Sequence, residues 1–473
     1  MLPRNGVGDR TAIGGAAQHL LPAAVVTDVR TLVLTALALL VAAPAAAADP
    51  PWSAPRDASP VVGFVTSPGI VFGADGSALL SWNDGEHAEF ATLGADGAIA
   101  QRGGLTGTLV ARPLIIGGSR TVILIRNRRV TGRFRTLDQL TATFGTTASP
   151  RGRARRVGGS HEVFGEDQGP AMAVSEGEVA VAWVELLSHE RHRYRIAFSR
   201  GGRAFSRPQT LATTGLPTRD SESIVLAYGP KRELVAAYAS ARRKDGSRPV
   251  IAVHTRRPGH GFGRARILGE RRPLTDLAAA SANGRVVVAW GSQDSGEEAG
   301  HPWTVRAALR GPGRRFGRAA VLDPGATRDR VPGHLAAVMT RDGTATLAWT
   351  NVVGDSFPLR TATAAPGARF GQTAQLSPNG VVGGLAVDRG ATLLTWTDAQ
   401  PDVAEPPPRD VFAALRPAGA AAFGAPERVS TAAFDDFDPA AAAFDPQAGR
   451  PTVLWPAGPD AAGIRLQISS RAG

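Results

Sequence analysis

The sequence predicts an all-β fold: a propeller of eight four-stranded blades. Three observations carry that prediction. A hairpin signature closing on an aromatic residue returns along the chain. From Trp183 the landmarks Tyr238, Trp290, Trp349, Trp396 and Trp455 follow at intervals of 55, 52, 59, 47 and 59 residues. The stretch Trp52-Ser-Ala-Pro-Arg-Asp-Ala58 matches Phe423-Gly-Ala-Pro-Glu-Arg-Val429, a strand that the final repeat lacks. A repeat near 50 residues built of short strands is one propeller blade, and a shared strand closes the ring.

The hairpin is clearest at Ser281-Ala-Asn-Gly-Arg-Val-Val-Val-Ala-Trp290. Asn-Gly suits a two-residue turn because both residues tolerate positive φ. The β-branched run that follows suits a buried strand. Copies end at Trp82, Trp183, Trp349, Trp396 and Trp455, with Tyr238 in the aromatic place of another. The copy Gly118-Ser-Arg-Thr-Val-Ile-Leu-Ile125 ends on an aliphatic residue, so seven blades is the alternative count. A third strand, a Pro/Gly turn and a fourth strand complete each unit, as in Trp303–Arg310, Gly311-Pro-Gly-Arg-Arg-Phe316 and Gly317–Leu322. The turn phenylalanine is expected to plug the blade. Inner strands are expected to be Ala-rich, as in Leu277-Ala-Ala-Ala-Ser281, because they crowd a central channel.

Ahead of the repeats, Thr31–Ala43 is an apolar run behind Arg30, followed by Pro44 and Ala45–Ala48. It reads as a secretory signal cut after Ala48, giving a signal segment 1–48 and one propeller domain 49–473. The expected localisation is secreted or envelope-associated, as a monomer with no membrane span in the mature chain. The run is short for a span, with an uncleaved anchor as the competing reading.

Of 473 residues 56 are Gly and 35 Pro, as many short turns require, and none is Cys. Disulfides, thiolate metal sites and cysteine nucleophiles are therefore excluded. The net charge is +12, carried almost wholly by Arg; only Lys231 and Lys244 are lysines. Such a charge suits an anionic polymer. Arg, Ala, Gly and Pro are enriched together and Arg is spread over all repeats, which is also what GC-rich coding produces. That second reading is preferred, and no specific nucleic-acid partner is expected.

Loops from fourth to first strands and from second to third strands share one propeller face, where loops carry function on a rigid scaffold. The acids and histidine assigned to the first set are Asp167, Asp220, Glu222, Asp276, His334, Asp436 and Asp438, which form the expected ligand-binding group. Glu166, Asp329, Asp435 and His161 belong to the same loops. Phe434-Asp-Asp-Phe-Asp-Pro439 offers oxygens to calcium without the spacing of a defined calcium loop, so no cofactor is expected. His189 and His192, three apart on an extended chain, lack a third ligand for zinc. The sequence contains no nucleotide-binding glycine loop, G-x-S-x-G elbow or His-Glu-x-x-His.

The turn Ser199-Arg-Gly-Gly-Arg-Ala-Phe205 resembles a degenerate Asp-box, the hairpin signature of sialidase-like propellers, with the box Asp missing. The resemblance covers such turns in about five repeats. It implies the propeller fold. Sialidase chemistry would add an arginine cluster, a Tyr–Glu pair and an Asp acid, and this chain has only Tyr194, Tyr228 and Tyr238. The expected function is an exported binding module for a protein or a glycan, without catalysis. A glycan-active enzyme of the sialidase-like type is the alternative, and a purely structural envelope protein a third reading.

Overall fold

A computed structural model describes residues 52–471 except 63–64, 86, 132–134, 162–169, 189–190, 216–223, 242–248, 271–273, 294–302, 325–329, 354–355, 399–408, 434–439 and 459–462. The segment 1–48, expected from the sequence to be a secretory signal, thus lies outside the described residues. The strands form eight blades, each an antiparallel sheet. The inner strands are Thr66–Phe72, Thr108–Gly117, Ala171–Ser175, Ile224–Tyr228, Leu274–Ala282, Arg330–Met339, Val381–Asp388 and Ala441–Asp445, for blades 1 to 8 in order. Blade 2, the divergent repeat, is a full sheet of four strands, which settles the count at eight.

The ring closes as expected. Arg56–Asp57 pairs with Arg465–Ser470 in the register Arg56 to Ile468, and an isolated bridge joins Trp52 to Arg471. Trp52 donates from Nε1 to a Glu427 carboxylate oxygen at 3.0 Å. Closure removes the free edges that an open sheet of this size would carry.

Each second strand is buried on both faces, because a blade is sandwiched between two others. In Arg285–Gln293, Val286, Val288 and Trp290 pack toward blade 4, while Val287 and Ala289 pack toward blade 6. The same alternation in every blade gives one apolar cluster at each of the eight interfaces. The aromatic landmarks lie in these clusters, with Trp349 and Trp455 fully buried. The turn phenylalanines Phe205, Phe262, Phe316, Phe370 and Phe423 pack against the interface with the preceding blade. Trp52 occupies the same place at the interface of blades 7 and 8.

Turn geometry follows the residues. Asn283 and Gly284 have φ of 46° and 80°, as a two-residue hairpin of this kind requires. The matching turn in blade 4 uses Lys231 and Arg232 at φ 53° and 59°. Neither side chain favours that region, which costs roughly 1–2 kcal/mol per residue. Arg232 is held there by a Glu178 carboxylate oxygen of blade 3 at 3.3 Å.

Candidate functional site

The inner strands converge on a cavity of about 570 Å³. Six blades contribute to its wall, mostly through small residues such as Ala111, Ala278, Ala336 and Gly384. Small side chains are needed because eight strands meet around one axis. Two polar side chains interrupt this wall, Arg112 of blade 2 and His334 of blade 6. Arg112 donates from Nη2 to the Gly383 carbonyl of blade 7 at 2.9 Å, so its positive charge lies at the channel.

His334 owes its position to irregular pairing. The inner strand of blade 6 slips register on both sides of Gly333 before regular pairing resumes at Ala336. His334 takes φ 54° at this bulge, a region uncommon for a non-glycine residue. Its side chain is open to the cavity, and enclosure by the walls holds its pKa below the usual imidazole value.

Asp276 of blade 5 secures the bulge. One carboxylate oxygen accepts from Leu277 N at 2.6 Å, and the other accepts from Leu335 N at 2.5 Å. Burial raises this carboxyl to about 6, against the opposing pull of the two backbone bonds. The backbone of the residue after His334 is thus pinned to the neighbouring blade.

The sequence placed Asp276 and His334 in loops. The structure places both within inner strands, Leu274–Ala282 and Arg330–Met339, and sets the Asp276 carboxylate against the backbone next to His334. Asp167, Asp220, Glu222, Asp436 and Asp438 lie outside the described residues, as do Glu166, Asp329 and the calcium-like stretch 434–439. His161 is on the outer strand of blade 2, paired in register with Asp138. His192 is buried in blade 3, and burial pushes its pKa down to about 4. Among the described residues no cluster of three or more His, Cys, Asp or Glu could hold a metal ion. Nor is any helix among them long and apolar enough to cross a membrane.

The tyrosines are structural. Tyr194 is buried and donates to the Ala239 carbonyl at 2.6 Å. Tyr238 is buried against His254, its hydroxyl 3.0 Å from the ring Nε2. Tyr228 donates to Glu178 at 2.7 Å, and Arg256 donates to the same oxygen at 3.0 Å. Burial raises the pKa of Glu178, yet the bonds from Tyr228 and Arg256 and the charges of Arg256 and Arg232 outweigh it, leaving the carboxylate lowered. Asp323 clasps blades 5 and 6 similarly, accepting from Trp349 Nε1, Asn351 Nδ2 and Arg360. Both groups bind blade to blade. Arg112 escaped the sequence reading; its signal is an arginine inside Thr108-Leu-Val-Ala-Arg-Pro-Leu114, where other inner strands carry small apolar residues.

No protein-family model matches the chain, and no curated protein matches it. Among solved structures, the polysaccharide lyase Uly1 is similar at 10% identity and a TM-score of 0.45, covering 78% of this chain and 91% of its own. A protein of unknown function from Dyadobacter fermentans aligns at 10% identity and a TM-score of 0.41, covering 88% and 98%. The GH93 alpha-L-arabinofuranosidase of Fusarium graminearum aligns at 13% and 0.39, covering 62% and 89%. Likenesses at this level are silent on the chemistry of this chain.

Proposed function

We propose that this chain is an exported binding propeller that takes the end of a glycan or peptide chain into its central channel, without cleaving it. The cavity carries the reading: a preformed, small-residue wall with one cation, Arg112, and one imidazole, His334, set into it. Pockets of this kind orient a ligand through a few polar groups on an apolar surface. Asp276, on the blade next to that of His334, accepts two backbone N–H bonds, a structural use of its oxygens. The positive charge favours a ligand end bearing a carboxylate or another acceptor. Export rests on the apolar run Thr31–Ala43 and on Ala45–Ala48.

The test is an array of acidic and neutral oligosaccharides and peptides, probed with the full chain and with His334→Ala. Binding of an acidic end, weakened about tenfold by the substitution, is the expected result, the size of one lost charge-assisted hydrogen bond. Equal binding by both proteins overturns the channel site. Appearance of shortened oligosaccharide in the same samples overturns the non-catalytic reading in favour of a glycan-active enzyme.

A further inference from the structure

The face opposite the channel loops carries a charge that the channel does not use. Antiparallel strands put the turns between first and second strands and between third and fourth strands on that face. The third-to-fourth turn holds Arg203 and Arg207 in blade 3, Arg257 and Arg264 in blade 4, and Arg314, Arg315 and Arg318 in blade 5. All seven are exposed. None makes a side-chain hydrogen bond or ion pair with another described residue. No Asp or Glu lies in these three turns, spanning 201–208, 257–265 and 311–319. The same turn in blade 1, Gly94–Ala98, holds Asp96 and no arginine, and that of blade 7, 417–426, is uncharged. The equivalent turns of blades 2 and 6 hold one exposed arginine each, Arg151 and Arg369. Coding bias spreads arginine evenly; in these turns it is densest over the three adjacent blades 3 to 5.

The arc is one continuous surface. Arg256 of blade 4 lies 3.9 Å from the centre of the Phe198 ring of blade 3. Arg266 of blade 4 donates to the Phe316 carbonyl in the turn of blade 5. The tips themselves are Gly201-Gly202, Pro258-Gly259 and Pro312-Gly313, with all four glycines at positive φ. Such tips are shaped by the backbone and leave the arginines projecting.

We propose that this arc binds a linear anionic glycan, one bearing carboxylate or sulfate groups along its length. The guanidinium fork matches such oxyanions with two parallel hydrogen bonds. Several forks in series suit a polymer that repeats its charge. Single-stranded nucleic acid calls for exposed aromatic rings on which bases stack. The rings of these turns, Phe205, Phe262 and Phe316, pack inward against the blade interfaces instead. A lipid surface calls for large apolar side chains at the tips, where this chain has Pro and Gly. The proposal is independent of the channel, since it uses the other face.

Binding of the full chain to polygalacturonate and to heparin tests it, with duplex DNA and phosphatidylserine vesicles as comparison probes. Arg207→Gln/Arg264→Gln/Arg315→Gln removes one fork from each blade. Arg102→Gln/Arg191→Gln/Arg428→Gln removes the same charge elsewhere. The arc variant is expected to lose roughly tenfold in glycan affinity and to flatten its salt dependence, as lost ion contacts do. The control variant is expected to stay within about twofold, as screened distant charges do. Melting curves establish that both are folded, and the three single substitutions replace the triple variant where it is not. Equal losses in the two triple variants overturn the proposal. So does a parent chain that binds neither glycan, or one that binds DNA or the vesicles more tightly than the glycans.

Discussion

Asp276 shows how one side chain serves both fold and channel. Its carboxyl, ordinarily near 3.8, is raised to about 6 by burial. A raised acid holds its proton in the folded chain at a pH where the unfolded chain has released it. The folded state therefore binds more protons between about pH 4 and 6, and stability falls as pH rises through that window. The gap corresponds to at most ~3 kcal/mol. His192 and His334, both lowered by burial, act in the opposite sense, since the unfolded chain takes up their protons first as pH falls. A difference measurement separates the two. Thermal midpoints of the parent chain minus those of Asp276→Asn are expected to decline by a few degrees from pH 4 to pH 7. A flat difference would mean that Asp276 titrates as an ordinary exposed acid.

At the scale of the element, the hairpins were legible in the sequence because one pattern repeats with its aromatic in a fixed place. Blade 2 was the least legible, since Ile125 does the packing that Trp does elsewhere. The candidate site was legible only in part. Asp276 and His334 were singled out but assigned to loops, because each inner strand begins before its small-residue run and bulges on the way in. Arg112 gave no repeating signal, and a cavity formed by distant inner strands has no local signature. Some landmark rings also need room that the sequence announces only faintly. A Cβ on Gly158 of blade 2 would lie 2.4 Å from the Trp183 ring of blade 3, and one on Gly269 of blade 4 would lie 2.7 Å from the Trp290 ring of blade 5. These glycines stand on outer strands, where a side chain would strike the next blade. Gly269→Ala is expected to destabilise by ~1–3 kcal/mol, the usual cost of overpacking. Denaturant titration measures it. Gly259→Ala, at a tip with nothing within 4 Å of the new atom, separates this clash from the cost of its own positive φ of 76°. Gly269→Ala should also shift Trp290 fluorescence, which Gly259→Ala should leave alone.

For the whole molecule, the decisive contact joins the two ends of the described chain. Blade 8 takes three strands from the C-terminal end and its fourth from Arg56–Asp57. That strand is short, but it is tied at several points. Arg465 pairs with Asp57 at 2.7 Å, Ser53 N donates to the Ser470 carbonyl at 2.9 Å, and Ala58 N donates to the Leu466 carbonyl at 2.7 Å. Ala58 is fully buried in the apolar cluster between blades 8 and 1. Each blade is stabilised by its two neighbours, so a loosened blade 8 weakens blades 7 and 1 as well. Removal of residues 1–48 keeps the whole fastening strand and is expected to leave the melting temperature unchanged. Removal of residues 1–58 takes Trp52, Asp57 and Ala58 together. It exposes the edge of Arg465–Ser470, and unpaired edges recruit other chains. The shorter form is expected to melt several degrees lower and to scatter light on heating at concentrations where the longer form stays clear. Equal melting of the two forms would mean that the ring is held by the eight interfaces alone and that the shared strand contributes nothing to closure.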